Sequence, residues 1–175
     1  MALLHLREAL NIEEKKNPKE SPSLVAILTG LANTHWARLE YEQAITSGER
    51  ALTLGELDAP RDGTELTKIL MILGNIYHDC GQHTQALDRN LRALAIVERT
   101  QPVDLHILAE LLNNLGSIER DLDAMERALP YLQRAVEIYS QILPRGHPSR
   151  ASAELDLERA NLSKEKNQQT SETRL

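Results

Sequence analysis

Side chains able to do covalent chemistry are few. His78, Cys80 and His83 lie close in sequence, and a thiol between two imidazoles is the raw material of a nucleophile pair or a metal site. At about 100° per helical residue, however, positions 78 and 80 point about 200° apart and do not converge. Cys80 reads instead as a small residue at a helix end. Glu13-Glu14 and Asp121 with Asp123 read as solvated charges rather than a paired acid and base. No Walker loop, dinucleotide glycine pattern, Gly-x-Ser-x-Gly or His-Glu-x-x-His occurs. The chain therefore reads as no enzyme, with no cofactor and no metal. The remaining candidates are groups that bind. Asn33, Asn75 and Asn113 each carry donors and an acceptor that can hold a peptide-bond amide from both sides. Lys68 and Arg120 can pair with acidic side chains or a terminal carboxylate. Trp36 and Met71 offer apolar contact area, and His78 falls in the same series.

Positioning these groups is the work of helices. The chain has 175 residues, enough for one folded unit with a real core. Leu and Ala number 48, against 20 for Val, Ile, Phe, Trp and Tyr together, which argues against a β-sandwich or barrel. A net charge of −6, with no basic block, argues against nucleic acid. A lone Cys excludes a disulfide framework and a four-thiolate zinc site. The opening MALLHLREAL lacks the features of a signal peptide, and the longest apolar run, Ile69 to Tyr77, is too short to span a bilayer. The expectation is a soluble cytoplasmic protein without a membrane partner.

An internal period organises the rest. Pro18, Pro60, Pro102 and Pro144 are each 42 residues apart. The same offset aligns Leu28, Leu70 and Leu112; Leu31, Leu73 and Leu115; and Ala32, Gly74 and Gly116. It also aligns Ala9, Ala51, Ala93 and Ala135, followed by Leu10, Leu52, Leu94 and Val136. Each period reads as two helices with apolar or small residues at 3–4 spacing. Short breaks at 39–41, 80–82 and 122–124 separate them, with Gly81 suited to a helix C-terminus and Asp123 to an N-cap. Small residues let the helix axes approach, and no single pair can bury both of its faces, so the pairs must stack. In each first helix a second stripe is left over from the core: Ala26, Thr29, Asn33, Trp36; then Lys68, Met71, Asn75, His78; then Glu110, Asn113, Ser117, Arg120.

Leu73-Gly74, Tyr77, Ala86 and Ala93 resemble the tetratricopeptide signature, and Leu31-Ala32 and Leu115-Gly116 repeat it with His35 and Glu119 in place of the Tyr. The 42-residue period, Leu111 to Gly116 and Leu132 to Tyr139 resemble the kinesin-light-chain subtype. The resemblance implies an all-α, right-handed α-solenoid of seven or eight helices. It also implies that the left-over stripes line a concave groove that receives an extended peptide. Asn33, Trp36, Lys68, Met71, Asn75, His78, Asn113 and Arg120 are the candidate contacts, for a protein or peptide partner with acidic groups. Asp79, Glu110 and Asp121 make the groove mixed in charge.

Along the chain, 2–16 reads as half a repeat, 24–60, 66–102 and 108–144 as full repeats, and 149–165 as a terminal cap helix. The cap should turn Ala151, Leu155 and Leu162 inward and Arg150, Glu154, Glu158 and Glu165 outward. The polar segment 166–175 reads as a disordered tail. Pro130, inside the second helix of the third repeat, should cause a kink at most. The unpaired apolar face of the first helix offers self-association as the alternative function. The terminal Thr173-Arg174-Leu175 has the shape of a PDZ ligand, and Asn161-Leu162-Ser163 is a sequon expected to stay silent.

Overall fold

A computed structural model describes residues 2–16, 22–57 and 63–172, with side chains to residue 166. Eight helices occupy them: α1 (Ala2–Lys16), α2 (Pro22–Ala37), α3 (Tyr41–Leu57), α4 (Thr64–Asp79), α5 (His83–Val97), α6 (Leu105–Asp121), α7 (Met125–Ile142) and α8 (Pro148–Glu172). No strand occurs among the described residues. The chain divides into two compact units, residues 1–96 and 97–175. The phased Pro18 and Pro60, Ser21 and the terminal Thr173-Arg174-Leu175 lie outside the described residues. No described helix is long and apolar enough to cross a membrane.

The helix pairs α2–α3, α4–α5 and α6–α7 share one turn. In each, the third residue of the break has its N–H bonded back to the carbonyl five residues earlier: Glu40 to His35, Gln82 to Tyr77, Ala124 to Glu119. The residue before it is left-handed: Leu39 (φ 61°), Gly81 (φ 77°) and Asp123 (φ 57°). These are helix C-terminal turns in which the left-handed residue lets the orphan carbonyls be satisfied. Asp123 is thus not an N-cap. That position belongs to Ala124, which makes no side-chain cap, because the turn consumes Asp123 first. The true side-chain cap is Asp104, whose Oδ1 accepts from the N–H of His106 (3.0 Å) and Ile107 (3.1 Å).

In unit 1, Leu24, Leu28, Leu31 and Ala32 of α2 and Ile69, Leu70, Leu73 and Ile76 of α4 are buried. In unit 2 the counterparts are Leu111, Leu112, Leu115 and Ile118 of α6 with Leu132 of α7. Burying each such side chain stabilises by about 1.5–3 kcal/mol. The small residues of the period mark the closest approaches. A Cβ on Gly74 would lie 2.2 Å from the Asn90 Nδ2, and one on Gly116 would lie 2.5 Å from the Leu132 Cγ. A second device follows the same 42-residue step: Arg50 pairs with Glu14, Arg92 with Glu56, and Arg134 with Glu98. Each ties a second-position helix to the residue 36 places before it.

Helix α7 continues through Pro130, which is exposed near its first turns. The last helix departs from expectation in two ways. It runs to Glu172, into the segment read as a disordered tail. Its buried residues are Ala153 and Ala160, with Leu157 packed on Met125, Ala128, Leu129 and Leu132. Ala151 is exposed, as are Leu155 (45%) and Leu162 (49%), and Arg150 is half-buried. The repeat register explains the rotation. Adding 42 to Leu111, Leu115 and Ile118 gives 153, 157 and 160, so α8 packs as another first helix would.

Candidate functional site

In unit 1 the left-over stripes of α2 and α4 come together. Trp36 packs with Ile72 against the cluster of Ala32, Ala44 and Ile76, and its indole Nε1 donates to Asp79 Oδ2 at 2.8 Å. The indole is therefore half spent as a seam between the two first helices. Asn33 and Lys68 stand exposed on this side, Asn75 is half-exposed, and Lys68 lies 3.6 Å from Glu65 in a loose surface pair. Met71 is 8% exposed and presents little area for contact, which corrects its place among the apolar contacts. The His78 ring sits 5.5 Å from the His83 ring, across the turn, so these two imidazoles do meet although 78 and 80 diverge. Cys80 faces its own helix end, with Sγ donating to the Tyr77 carbonyl.

In unit 2, Glu110, Asn113, Ser117 and Arg120 follow one another along α6, all partly buried. Arg120 does not stand ready for a ligand. Its Nη1 donates to Asp156 of α8 at 2.8 Å and its Nε to Asp121 at 3.2 Å. Burial by itself pulls the guanidinium down, but the bond to Asp156 and the neighbouring carboxylates hold it above its ordinary pKa. Asn113 Oδ1 is buried with no hydrogen-bond partner among the described residues, an orphan acceptor on this stripe. Burial raises the Glu110 carboxyl, with His106 opposing more weakly. The neighbouring Tyr139 hydroxyl is pushed up to about 12 by burial and then by the Glu110 charge.

Residues 155, 159 and 162 are 42 positions beyond Asn113, Ser117 and Arg120. They continue the stripe onto α8 as Leu155, Arg159 and Leu162, all exposed. Sequence reading placed Leu155 and Leu162 in the core because they are apolar. Carrying the period one step further would have put them on the stripe.

Residues 65–141 match the tetratricopeptide repeat family model. A search of curated proteins returns no match. Among solved structures, a candidate kinesin light chain from Podosopora anserina with nearly identical tetratricopeptide-like repeats is 21% identical. The match covers 97% of this chain and 81% of that one, with a TM-score of 0.75. BtubC (BKLC) from P. vanneervenii is 20% identical over 93% of this chain and 65% of its own, with a TM-score of 0.74. The apo form of RapI is 16% identical over 94% of this chain and 58% of its own, with a TM-score of 0.78. At these identities the likeness is one of fold.

Proposed function

Starting from a tetratricopeptide-repeat array similar to kinesin-light-chain repeats, we propose that the chain is a non-enzymatic interaction module holding an extended peptide of a partner protein. In each unit a peptide segment lies along the stripe of the first helices. In unit 1, Asn33 and Asn75 bond its backbone and Lys68 selects acidic side chains, and in unit 2 Asn113 makes the backbone contact. Leu155 and Arg159 extend the contact onto α8. Trp36 and Arg120 shape the surface from beneath, through Asp79 and Asp156. The exposed Asn33 and Lys68 beside the half-exposed Asn75 support the reading, because these groups can hydrogen-bond a peptide backbone and pair with acidic side chains. A rigid array leaves the entropy loss of binding mainly on the peptide.

A random-peptide display selection on the parent and on a Lys68→Ala, Asn75→Ala, Asn113→Ala variant tests this, with circular dichroism confirming equal helicity. Enrichment of acidic peptides in the parent alone supports it. Enrichment shared by both proteins, or absent from both, removes it.

The exposed face of α1 favours a second reading, self-association. Ala44 and Ala51 of α3 are fully buried, whereas their register equivalents Ala2 and Ala9 of α1 are exposed and half-exposed. Light scattering that gives a monomer at every concentration would exclude it.

A further inference from the structure

The α4–α5 turn joins two side chains that the helix itself would keep apart. Gly81, left-handed at φ 77°, donates its N–H to the His78 carbonyl at 2.9 Å, and Gln82 donates to the Tyr77 carbonyl at 2.8 Å. These bonds reverse the chain over residues 80–82. His83, the first residue of α5, therefore returns beside His78 at the end of α4. The two ring centres are 5.5 Å apart with their planes inclined by 59°, and a ring nitrogen of each lies within 4.8 Å of the other. Both residues are partly exposed, so an ion can reach them from solvent.

The period provides an internal control. Forty-two residues earlier the same two positions are Trp36 and Tyr41, which pack on one cluster of Ala32, Ala44 and Ile76. Forty-two residues later they are Arg120 and Met125. Backbone geometry thus brings this pair of positions together, and the α4–α5 turn is the one that fills both with imidazole.

Neutral imidazole is the common nitrogen ligand of zinc, copper and nickel. Two such nitrogens on one ion, with bonds of about 2.0–2.1 Å and tetrahedral angles, stand roughly 3.3 Å apart. Bringing the pair to that spacing from within 4.8 Å needs only side-chain rotation. His83 is able to turn. Its Nδ1 is shielded from solvent and has no hydrogen-bond partner among the described residues, so rotation breaks no bond there. The same nitrogen favours turning, because a buried polar atom without a partner is unfavourable.

We propose that His78 and His83 bind one divalent ion of the late first-row transition metals, the zinc and copper class, and that the ion clasps the end of α4 to the start of α5. The two imidazoles fill two coordination positions and water fills the rest. Nitrogen ligands select against magnesium and calcium, which take oxygen. The turn holds the rings together only in the folded chain, so the ion stabilises the folded state.

The probes are ZnCl₂ and CuCl₂, titrated into the untagged full chain. With Zn²⁺ the imidazole resonances of His78 and His83 are expected to shift together, at one ion per chain, while those of the other histidines stay in place. MgCl₂ should shift neither. Trp36 is the only tryptophan, and its indole donates at 2.8 Å to Asp79, the residue after His78. Cu²⁺ should therefore quench its fluorescence saturably. Losing a group that merely orients a metal ligand costs about 10–100-fold in affinity, so His78→Gln and His83→Gln should each weaken both ions by about tenfold or more. His147→Gln should bind as the parent does. Unchanged affinity in a folded His78→Gln or His83→Gln variant would overturn the site. The parent alone also decides, whatever the folding of the variants. Shifts at one of the two rings only, equal shifts at other histidines, or saturation needing more than about 1 mM Zn²⁺ would mean separate surface imidazoles and overturn the clasp.

Discussion

The clearest single-residue strain is at Leu39. It holds φ 61° in the α2–α3 turn with its side chain 70% exposed, where Gly81 does the same at φ 77° without a Cβ. A left-handed leucine costs roughly 1–2 kcal/mol, of which glycine's extra chain entropy returns part. Leu39→Gly is therefore expected to stabilise by about 0.5–1 kcal/mol in urea unfolding. Glu110 shows the opposite economy, a carboxyl raised by burial on the α6 stripe. A raised folded pKa means that the folded state holds its proton longer than the unfolded one. Stability from this group is complete below the ordinary value of 4.5 and is lost as pH rises through the folded value. Glu110→Gln should thus melt higher than the parent at pH 7 and alike below pH 4.5, so a melting difference independent of pH would contradict the assignment. Neither residue declares itself in the sequence. Leu39 falls in the break at 39–41 that the sequence marks, but its left-handed backbone shows only once the turn hydrogen bonds are in place.

Between elements, the 42-residue offset carries a size code. Positions 32, 74 and 116 are Ala, Gly and Gly, facing a second helix that offers Gly48, Asn90 and Leu132. Where the second helix grows, the first has no side chain. Gly74→Ala is expected to cost about 1–3 kcal/mol by driving the new methyl into the buried Asn90 amide, and Asn90→Ala should relieve it. A double-mutant cycle measures this, and simple additivity would mean the two residues do not meet. Helix pairing was legible because it rests on such spacings. The rotation of α8 was not read correctly, because its apolar residues Leu155 and Leu162 compete with the small Ala153 and Ala160. Close approach to α7 favours the alanines.

At the scale of the whole chain, the period can be followed onto the last helix. At α8 the positions that match Leu112 and Gly116 are Glu154 and Glu158, both exposed. Two carboxylates stand where a further second helix would need a leucine and a close approach. We propose that these charges disfavour packing of a further helix on that face. Restoring the pattern with Glu154→Leu and Glu158→Gly should uncover an apolar face. The sedimentation coefficient should then rise with concentration beyond that of the parent, and an unchanged profile would show that these charges do not guard the end. The sequence alone determined the helical class, the period, the turn sites and the candidate contact residues of the first-helix stripes, because all of these follow from local spacing and side-chain chemistry. Tertiary structure decided which of those residues remain available. Trp36 meets Asp79, Arg120 meets Asp156, and Met71 is buried. These outcomes depend on how each helix is rotated against its neighbour. A periodic sequence gives the register of that packing but not the partner that each side chain will find.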